Sequence, residues 1–443
     1  MAGEIRKLHI IFFPLMAHGH MIPLVDMAKL FGSRGVKTTV ITTPANATLF
    51  SKAIPRANEL GIEIDIKTIK FPSVEVGLPE GSENLNEMTS QPDMPVKLVF
   101  HGTSLLSLCA TACLMLYEPH KKVSSVSEPF VIPNLPGDIR LTRNQLPDTM
   151  KQDDETDFSR LFKAAVESEL TSYGVVVNSF YELEPAYAVH YRKVLGRRAW
   201  HIGPVSLCNR TDNDKASRAK QDSTDYTQEC LNWLKSKQPN SVVYLCFGSL
   251  ANFTSAQLTE IAMGLQASEQ NFIWIVRKNK NSGGEEEKED WLPLGFEKRM
   301  EGKGLIIRGW APQVLILDHE AVGGFVTHCG WNSTLEGVVA GAPLVTWPHF
   351  ADQFYNEKLV TQVLKIGVAV GVEKSSTTER GFVRRERIEK AVKEIMVGDK
   401  AEQMRSRAKA FGEMAQRAVE NGGSSFSNLN SLIEDLSLRS HLL

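Results

Sequence analysis

A pattern of strand, loop and helix opens this chain and starts again near its middle. The apolar run "LHIIFF" leads through the loop "PLMAHGHMIP" into "LVDMAKLFGSRG", whose apolar residues recur at helical spacing. From residue 241 the same order returns as "SVVYLCF", "GSLANFTS" and "AQLTEIAMGL". Four later apolar runs, "FIWIV", "LII", "GGFVTH" and "PLVTW", are each followed by a helical pattern. This alternation predicts parallel, doubly wound sheets that bind ligands at the carboxyl ends of their strands.

The length of the chain predicts more than one domain. A chain of 443 residues is too long for a single compact core. The polar segment "NRTDNDKASRAKQDSTDYTQE" has no apolar periodicity, which predicts an interdomain linker over 209–229. We therefore expect an N-terminal domain over 1–208 and a C-terminal domain over 230–425. A last helix, over 426–443, is expected to pack back on the N-terminal domain.

Charge and cysteine content exclude several classes of protein. With 50 basic and 52 acidic residues the formal net charge is −2, which does not favour nucleic acid or an anionic membrane as a partner. No run reaches the ~20 apolar residues of a membrane span. The six cysteines form no C-x-x-C pair, and several lie in apolar runs. Reduced thiols and a cytoplasmic location are therefore expected.

The N-terminal run "RKLHIIFFPLM" resembles a signal peptide only in part. Two cations precede a short apolar stretch, as in a signal peptide, but the stretch contains His9 and Pro14 and has no small-residue cleavage site. It also leads directly into a helical pattern. A buried parallel strand is the better interpretation.

The segment "THCGWNSTLEG" crowds polar side chains into a loop between an apolar strand and a helix. Ser333 and Glu336 fit the S/T-x-x-E capping box, which would satisfy free amides at the helix start without any ligand. That hypothesis leaves His328, Trp331 and Asn332 unexplained. Exposed amides and the positive dipole end at a helix N-terminus attract anions, and an added imidazole and amide suit a diphosphate.

Two flanking segments add groups that suit a nucleotide sugar. "GWAPQ" presents Trp310 at a strand end, where its indole is either a core aromatic or a stacking face for a base, and Pro312 is placed to start a helix. "WPHFADQFYNEKL" puts Asp352 and Gln353 in a loop after a strand. A carboxylate beside an amide can hold several sugar hydroxyls.

The run from Trp310 to Gln353 resembles the signature box of plant family-1 UDP-sugar-dependent glycosyltransferases. The match includes "WAPQ", "HCGWNS", Glu336, two prolines and the closing "DQ". It extends along nearly the whole chain through "MAHGHMIP", "SEPFVIPNLPGDI", "NSFYELE" and "YLCFGS". These segments are most similar to the branch that glycosylates terpenoids, flavonoids and other phenylpropanoids. The resemblance implies the α/β GT-B fold, in which two Rossmann-like doubly wound domains face a cleft.

The resemblance also implies a donor site for a UDP-sugar. It implies that Trp310 stacks on the uracil with Ala311 beside it, and that Gln313 and Glu336 hold the ribose. The residues implied to bind the diphosphate are His328, Asn332, Ser333 and Ser249. Those implied to address the sugar are Trp331, Asp352 and Gln353. We expect a monomer whose partners are this donor and a small apolar acceptor that carries a hydroxyl.

The loop "AHGH" offers two histidines for proton transfer, His18 and His20. Inverting glycosyl transfer needs a base that takes the proton of the acceptor hydroxyl, and a neutral imidazole suits that role near pH 7. In the family the base is the histidine just before the "MIP" segment, which implies His20. The helix terminus and His328 can stabilise the departing diphosphate, so no metal or other cofactor is expected.

One part of the family pattern is missing. In the family an aspartate orients the base, in a strand segment resembling "ADMFFPWA", which this sequence lacks. A βαβ unit takes ~30 residues or more, and nothing between Gly81 and Pro95 has strand or helix periodicity. Asp93 and Glu87 lie nearby, but neither follows a strand. Loss of a strand should leave its apolar neighbours, such as those at 98–99, poorly covered.

Three functions follow from these patterns, in decreasing order of support. The first is inverting transfer of glucose from UDP-glucose to a hydroxyl of a flavonoid, phenylpropanoid or terpenoid, with His20 as general base. The alternative is a catalytically impaired UDP-sugar-binding pseudoenzyme, or a truncated splice form, that lacks the base-orienting aspartate. A dehydrogenase on a Rossmann sheet is disfavoured, because no G-x-G-x-x-G follows either opening strand.

We predict that Trp310→Ala weakens UDP binding by roughly 1–3 kcal/mol, the contribution of one base stacked on an aromatic side chain. Isothermal titration calorimetry with UDP measures this directly. An unchanged affinity in the variant would remove Trp310 from the uracil site.

Overall fold

The structure, a computed structural model, describes residues 8–15, 18–69, 97–151, 157–218, 224–248, 253–276, 291–376 and 381–440. In these residues the strands of the N-terminal half are β1 (His9–Phe12), β2 (Lys37–Thr42), β3 (Ile64–Thr68), β4 (Leu98–His101), β5 (Phe130–Val131), β6 (Arg140–Leu141), β7 (Gly174–Val177) and β8 (Ala199–His201). Those of the C-terminal half are β9 (Val242–Cys246), β10 (Asn271–Val276), β11 (Gly304–Arg308), β12 (Val322–Thr327), β13 (Leu344–Thr346) and β14 (Gly367–Ala369).

Helices alternate with these strands. Those of the N-terminal half are α1 (His18–Gly32), α2 (Pro44–Ala47), α3 (Ala53–Glu59), α4 (Leu105–Tyr117), α5 (Asp148–Lys151), α6 (Asp157–Leu170) and α7 (Pro185–Lys193). Those that follow are α8 (Asp212–Ser217), α9 (Thr224–Lys235), α10 (Ser255–Ser268), α11 (Phe296–Arg299), α12 (Gln313–Leu317), α13 (Trp331–Val339), α14 (Gln353–Lys358), α15 (Arg385–Met396), α16 (Ala401–Val419) and α17 (Ser424–Ser440). Hydroxyl side chains cap the N-termini of two of these helices. Ser104 accepts a hydrogen bond from the Ser107 amide at the start of α4, and Thr254 accepts one from the Gln257 amide at the start of α10.

The C-terminal half forms one parallel sheet, as the alternation of strands and helices predicts. It has six strands, and the sixth, β14, is not among the five apolar runs named from the sequence. Its order is β11-β10-β9-β12-β13-β14. Every residue of β12 is buried, as expected for a parallel strand covered on both faces. The chain moves outward from β9 to β10 and β11, then returns to place β12 on the other side of β9. This reversal opens a crevice at the carboxyl ends of β9 and β12, where doubly wound sheets bind ligands.

The N-terminal half is divided into two parallel sheets of three strands each, with orders β1-β2-β3 and β4-β7-β8. Among the described residues β1 pairs only with β2, and β4 pairs only with β7. The expectation that the first strand is buried is wrong: β1 is a parallel strand, but Ile11 is 59% exposed. All residues of β4 are half-buried, which confirms the predicted poor cover at 98–99. Both strands are edges because neither has a second neighbour in the described part of the chain.

The segment over 209–229, predicted from its polarity to be an interdomain linker, contains α8 and the start of α9. Thr211 and Asp214 form a capping box at the start of α8. Asp214 also pairs with Arg56 of α3. Contacts to distant residues therefore stabilise a helix that has no apolar periodicity of its own.

The last helix, α17, returns to the N-terminal half and packs against β8. Its buried residues Leu429, Leu432 and Leu436 join Val176 and Trp200 in one apolar core.

Two further findings concern the cysteines and the lengths of the helices in the described residues. The six cysteines are all free. None of the helices there is long and apolar enough to cross a bilayer.

We predict that inserting a family-like strand and helix after Met94 raises the melting temperature. A strand between β1 and β4 would cover Ile11 and Leu98, and full burial of one such side chain contributes about 1.5–3 kcal/mol. Differential scanning calorimetry compares this chain with the insertion variant. The matched control is a Gly/Ser insertion of the same length. Equal melting temperatures of the two insertion variants would contradict the prediction.

Candidate active site

Helix α13 begins at the mouth of the crevice between β9 and β12. Its N-cap is Gly330, and no side-chain hydrogen bond caps the helix. The capping-box hypothesis is therefore wrong, because Ser333 lies inside the first turn. The Ser333 hydroxyl instead accepts a hydrogen bond from Gln313 Nε2 at 3.1 Å. The backbone amides of this turn, with the positive end of the helix dipole, are arranged to receive an anion.

The imidazole of His328 lies between two glycines at this mouth. A Cβ atom added to Gly248 would lie 2.6 Å from His328 Cε1, and one added to Gly330 would lie 2.4 Å from Nε2. Gly248 also has a φ of +73°, which disfavours any other residue. The glycines of "FGS" and "CGW" are thus required for close approach to the ring. Sequence analysis assigned them no role.

Burial lowers the pKa of His328 to about 4. Its Nδ1 atom is buried and has no hydrogen-bond partner in the described part of the chain. The ring is therefore neutral near pH 7. A neutral imidazole in a dry site can donate one hydrogen bond to an anion without carrying a charge of its own.

The two residues implied to hold a ribose lie in direct contact. Gln313, the first residue of α12, donates from Nε2 to Glu336 Oε2 at 2.7 Å. The other carboxylate oxygen, Oε1, accepts from Arg218 at 2.8 Å. Sequence analysis did not find Arg218, because it lies in a polar segment more than 100 residues from Glu336. Trp310 is half-buried just before Gln313, and Ala311 is buried.

The residues implied to address the sugar are held by polar contacts. Asp352 accepts hydrogen bonds from Thr103 Oγ1 at 2.6 Å and from Asn356 Nδ2 at 3.0 Å. Gln353 is 4% exposed, and its Oε1 accepts from the amides of His349 and Phe350. Thr103 was also missed by sequence analysis, although "HGTS" follows a strand.

Trp331 is the third residue implied to address the sugar. It is 3% exposed, and its indole Nε1 donates to the Asn178 carbonyl at 2.7 Å. The contact it makes here is therefore with the N-terminal half. Asn332 likewise donates through Nδ2 to the carbonyl of Gly19 in α1.

His20 occupies the first turn of α1, next to these contacts between the halves. Its side chain keeps exposed surface, yet desolvation by the surrounding protein lowers its pKa, and the charge of Asp352 opposes that effect. Desolvation raises the pKa of Asp352, while its hydrogen bonds and His20 oppose the rise. The structure thus brings a carboxylate from the C-terminal half into electrostatic range of His20. Ser249, Glu87 and Asp93 lie outside the described residues.

Comparison with known proteins supports a single family. The sequence model described as "UDP-glucoronosyl and UDP-glucosyl transferase" matches residues 157–407. Scopoletin glucosyltransferase of Nicotiana tabacum is 54% identical, with 97% of this chain and 98% of that protein aligned. UDP-glucose flavonoid 3-O-glucosyltransferase 7 of Fragaria ananassa is 53% identical, with 97% of this chain and 96% of that protein aligned.

Solved structures agree with this grouping. Glycyrrhiza uralensis UGT73P12, complexed with glycyrrhetinic acid 3-O-monoglucuronide, has a TM-score of 0.89 and 38% identity, and the match covers 98% of this chain and 97% of that one. Medicago truncatula UGT71G1, complexed with UDP-glucose, has a TM-score of 0.79 and 24% identity over 99% of this chain and 100% of that one. The fold is therefore GT-B, as the resemblance implied.

The same alignments show that this chain is shorter than its relatives. The alignment with the Nicotiana tabacum protein spans 474 positions, whereas 97% of this chain is about 430 residues. About 44 aligned positions therefore have no counterpart here. That number agrees with the loss of a βαβ-sized segment predicted from the sequence.

We predict that His328 makes stability depend on pH in the acidic range. Its folded pKa, about 4, lies below the unfolded value near 6.5, so the unfolded state binds more protons between these values. The contribution is complete above pH 6.5 and is lost as the pH falls toward 4. When the pH falls from 6.5 to 4.5, the free energy of unfolding should therefore decrease in both proteins. The decrease should be about 2 kcal/mol smaller in His328→Asn than in the unmutated protein. Urea unfolding across this range measures the difference, and parallel curves would contradict it.

Proposed function

This chain belongs to the UDP-glucosyl and UDP-glucuronosyl transferase family and is a UDP-glycosyltransferase, and we propose that its donor is UDP-glucose. The acceptor is the hydroxyl of a small apolar plant metabolite, of flavonoid, phenylpropanoid or terpenoid type. The names of relatives support this class, since they include scopoletin, flavonoid and anthocyanin glucosyltransferases. A monomeric state and a cytoplasmic location stay predictions.

The observation that carries the proposal is the position of His20. It lies in the turn of α1 that touches Asn332 of α13, and it is within electrostatic range of Asp352. The turn that carries His20 thus contacts the helix that carries the implied diphosphate groups, which supports the proposed role of His20 as the base. This is the arrangement that displacement of UDP by an acceptor hydroxyl requires.

In the proposed reaction the acceptor oxygen attacks the anomeric carbon of glucose from the face opposite UDP. His20 takes the hydroxyl proton while the new C–O bond forms. The bond from the anomeric carbon to the diphosphate oxygen breaks, so the configuration inverts and UDP leaves with the bonding electrons. Because desolvation lowers its pKa, His20 is neutral near pH 7 and able to accept the proton. Activity should therefore fall as the pH drops through the pKa of His20.

The departing UDP gains negative charge at the mouth of α13. We assign its stabilisation to the uncapped amides of the first turn, to Asn332 and Ser333, and to a hydrogen bond from neutral His328. Ser249 is assigned to the diphosphate and Trp310 to the uracil on the family resemblance. These groups suffice for the charge, so transfer without a divalent metal is part of the proposal.

Glucose is the proposed sugar because of Gln353. An amide both donates and accepts hydrogen bonds, which suits adjacent equatorial hydroxyls. The backbone amides of His349 and Phe350 hold its Oε1 and so fix the side-chain orientation beside Asp352. In related enzymes glutamine at this position generally accompanies glucose, whereas histidine often accompanies galactose.

The test is a single-turnover assay with UDP-glucose and scopoletin or a flavonol. We expect glucoside formation, and we expect that neither UDP-galactose nor UDP-glucuronic acid outcompetes UDP-glucose. His20→Gln should lower the transfer rate by about 10²–10⁴-fold, the usual contribution of a general base, with UDP binding retained. His9→Gln, which alters a histidine of β1 that bonds to Thr39, is the matched control. If the unmutated chain binds UDP but forms no glucoside, the proposed glucosyl transfer is contradicted and only donor binding remains supported.

A further inference from the structure

Arg218, at the end of α8, joins the two halves of the protein beside the site. Its side chain is 11% exposed and lies between two carboxylates. Its NH1 atom is 2.8 Å from Glu336 Oε1 in α13, and its Nε atom is 3.1 Å from Asp26 Oδ2 in α1. The arginine thus connects the helix that carries His20 with the helix that carries the implied ribose carboxylate.

The positive charge of Arg218 partly neutralises both carboxylates. Asp26 is almost fully buried, with Asn209 Nδ2 at 2.9 Å and Lys29 Nζ at 3.7 Å as its further polar neighbours. Glu336 has Gln313 on its other oxygen. Desolvation by itself would lower the pKa of Arg218, but attraction to Asp26 and Glu336 outweighs it and raises the pKa above the usual value. The guanidinium therefore stays charged, and removing it would leave two half-neutralised carboxylates in a dry environment.

The hydrogen bonds that the described residues make to Glu336 do not use all of its acceptor positions. A carboxylate has about four acceptor positions, two on each oxygen. Arg218 uses one position on Oε1 and Gln313 uses one on Oε2. One position on each oxygen remains, which matches the two adjacent hydroxyls of a ribose.

We propose that Arg218 is a positioning residue for the donor ribose. It fixes the Glu336 carboxylate so that the remaining acceptor positions meet the 2′- and 3′-hydroxyls of the nucleotide. Through Asp26 it also ties that carboxylate to the helix that bears His20. This inference rests on the proposed function, in which the donor is a UDP-sugar.

A guanidinium is suited to this role in a way that an ammonium is not. Its planar fork donates a hydrogen bond from Nη1 to Glu336, while Nε lies 3.1 Å from Asp26 Oδ2 in an ion pair that lacks hydrogen-bond geometry. The single ammonium nitrogen of a lysine would pair with one carboxylate and leave the other without a cationic partner. Arg218→Lys should therefore preserve the local charge and the fold but relax the position of Glu336.

The experiment compares binding of UDP and of 2′-deoxy-UDP by calorimetry. The unmutated protein should prefer UDP. In Arg218→Gln that preference should shrink by about fivefold or more, the lower end of typical coupling between two sites. Arg56→Gln is the matched control, because the partners of Arg56 among the described residues are Thr211 and Asp214 of the same segment and not Glu336. The control should keep the full preference for UDP.

The outcomes of this experiment distinguish a positioning role of Arg218 from a purely structural one. If Arg218→Gln weakens both nucleotides equally, the residue is structural only and the proposal is overturned. If Arg218→Gln does not fold, as judged by circular dichroism, Arg218→Lys takes its place with the same expected loss of preference, and an unchanged preference there overturns the proposal. Failure of the unmutated protein to bind UDP would instead contradict the proposed function.

Discussion

Parallel pairing of β9 with both β10 and β12 is the constraint on which the site depends. It brings the carboxyl ends of six strands to one edge of the sheet and opens a crevice where the strand order reverses. Gly248 follows β9 and His328 follows β12, so their close contact is a direct result of this pairing. The first turn of α13, which begins at the same place, adds the uncapped amides. The topology therefore places exposed amides and the positive end of a helix dipole at this edge, which favours an anion before any single side chain is considered.

The site is completed by polar contacts between the two halves. Thr103 donates to Asp352, and the Trp331 indole donates to the Asn178 carbonyl. Arg218 pairs with carboxylates of both halves. Such contacts are directional, and a buried partner left without its hydrogen bond is costly. The relative position of the halves is therefore coupled to the same groups that are proposed to bind the donor.

The N-terminal half is less complete than its counterpart. Its strands form two separate sheets, and the edge strands β1 and β4 are only partly covered. The chain also lacks about 44 positions of the alignment with the Nicotiana tabacum protein. In the family an aspartate from the missing region orients the base. Among the described residues, the carboxylate whose charge raises the pKa of His20 is Asp352, in the opposite half. The proposed base is thus coupled electrostatically to a residue proposed to address the sugar.

The sequence by itself determined the alternation of strands and helices, the parallel arrangement of the sheets and the polar motifs that follow their strands. These features are local, because apolar periodicity and short motifs such as "HCGWNS" depend only on neighbouring residues. The missing segment was also predicted from the sequence, by comparison with the family pattern.

Only the tertiary structure decided which polar residues act together. Ser333 fits a capping box by spacing, yet the helix starts two residues earlier, and Ser333 bonds to Gln313. The segment around Arg218 is polar and was predicted to be a linker, but α8 forms there, with a Thr211–Asp214 capping box and an ion pair between Asp214 and Arg56, 158 residues apart. Ion pairs between residues far apart in sequence cannot be predicted from sequence periodicity, because their energy depends on the separation of the charges in space and on their burial.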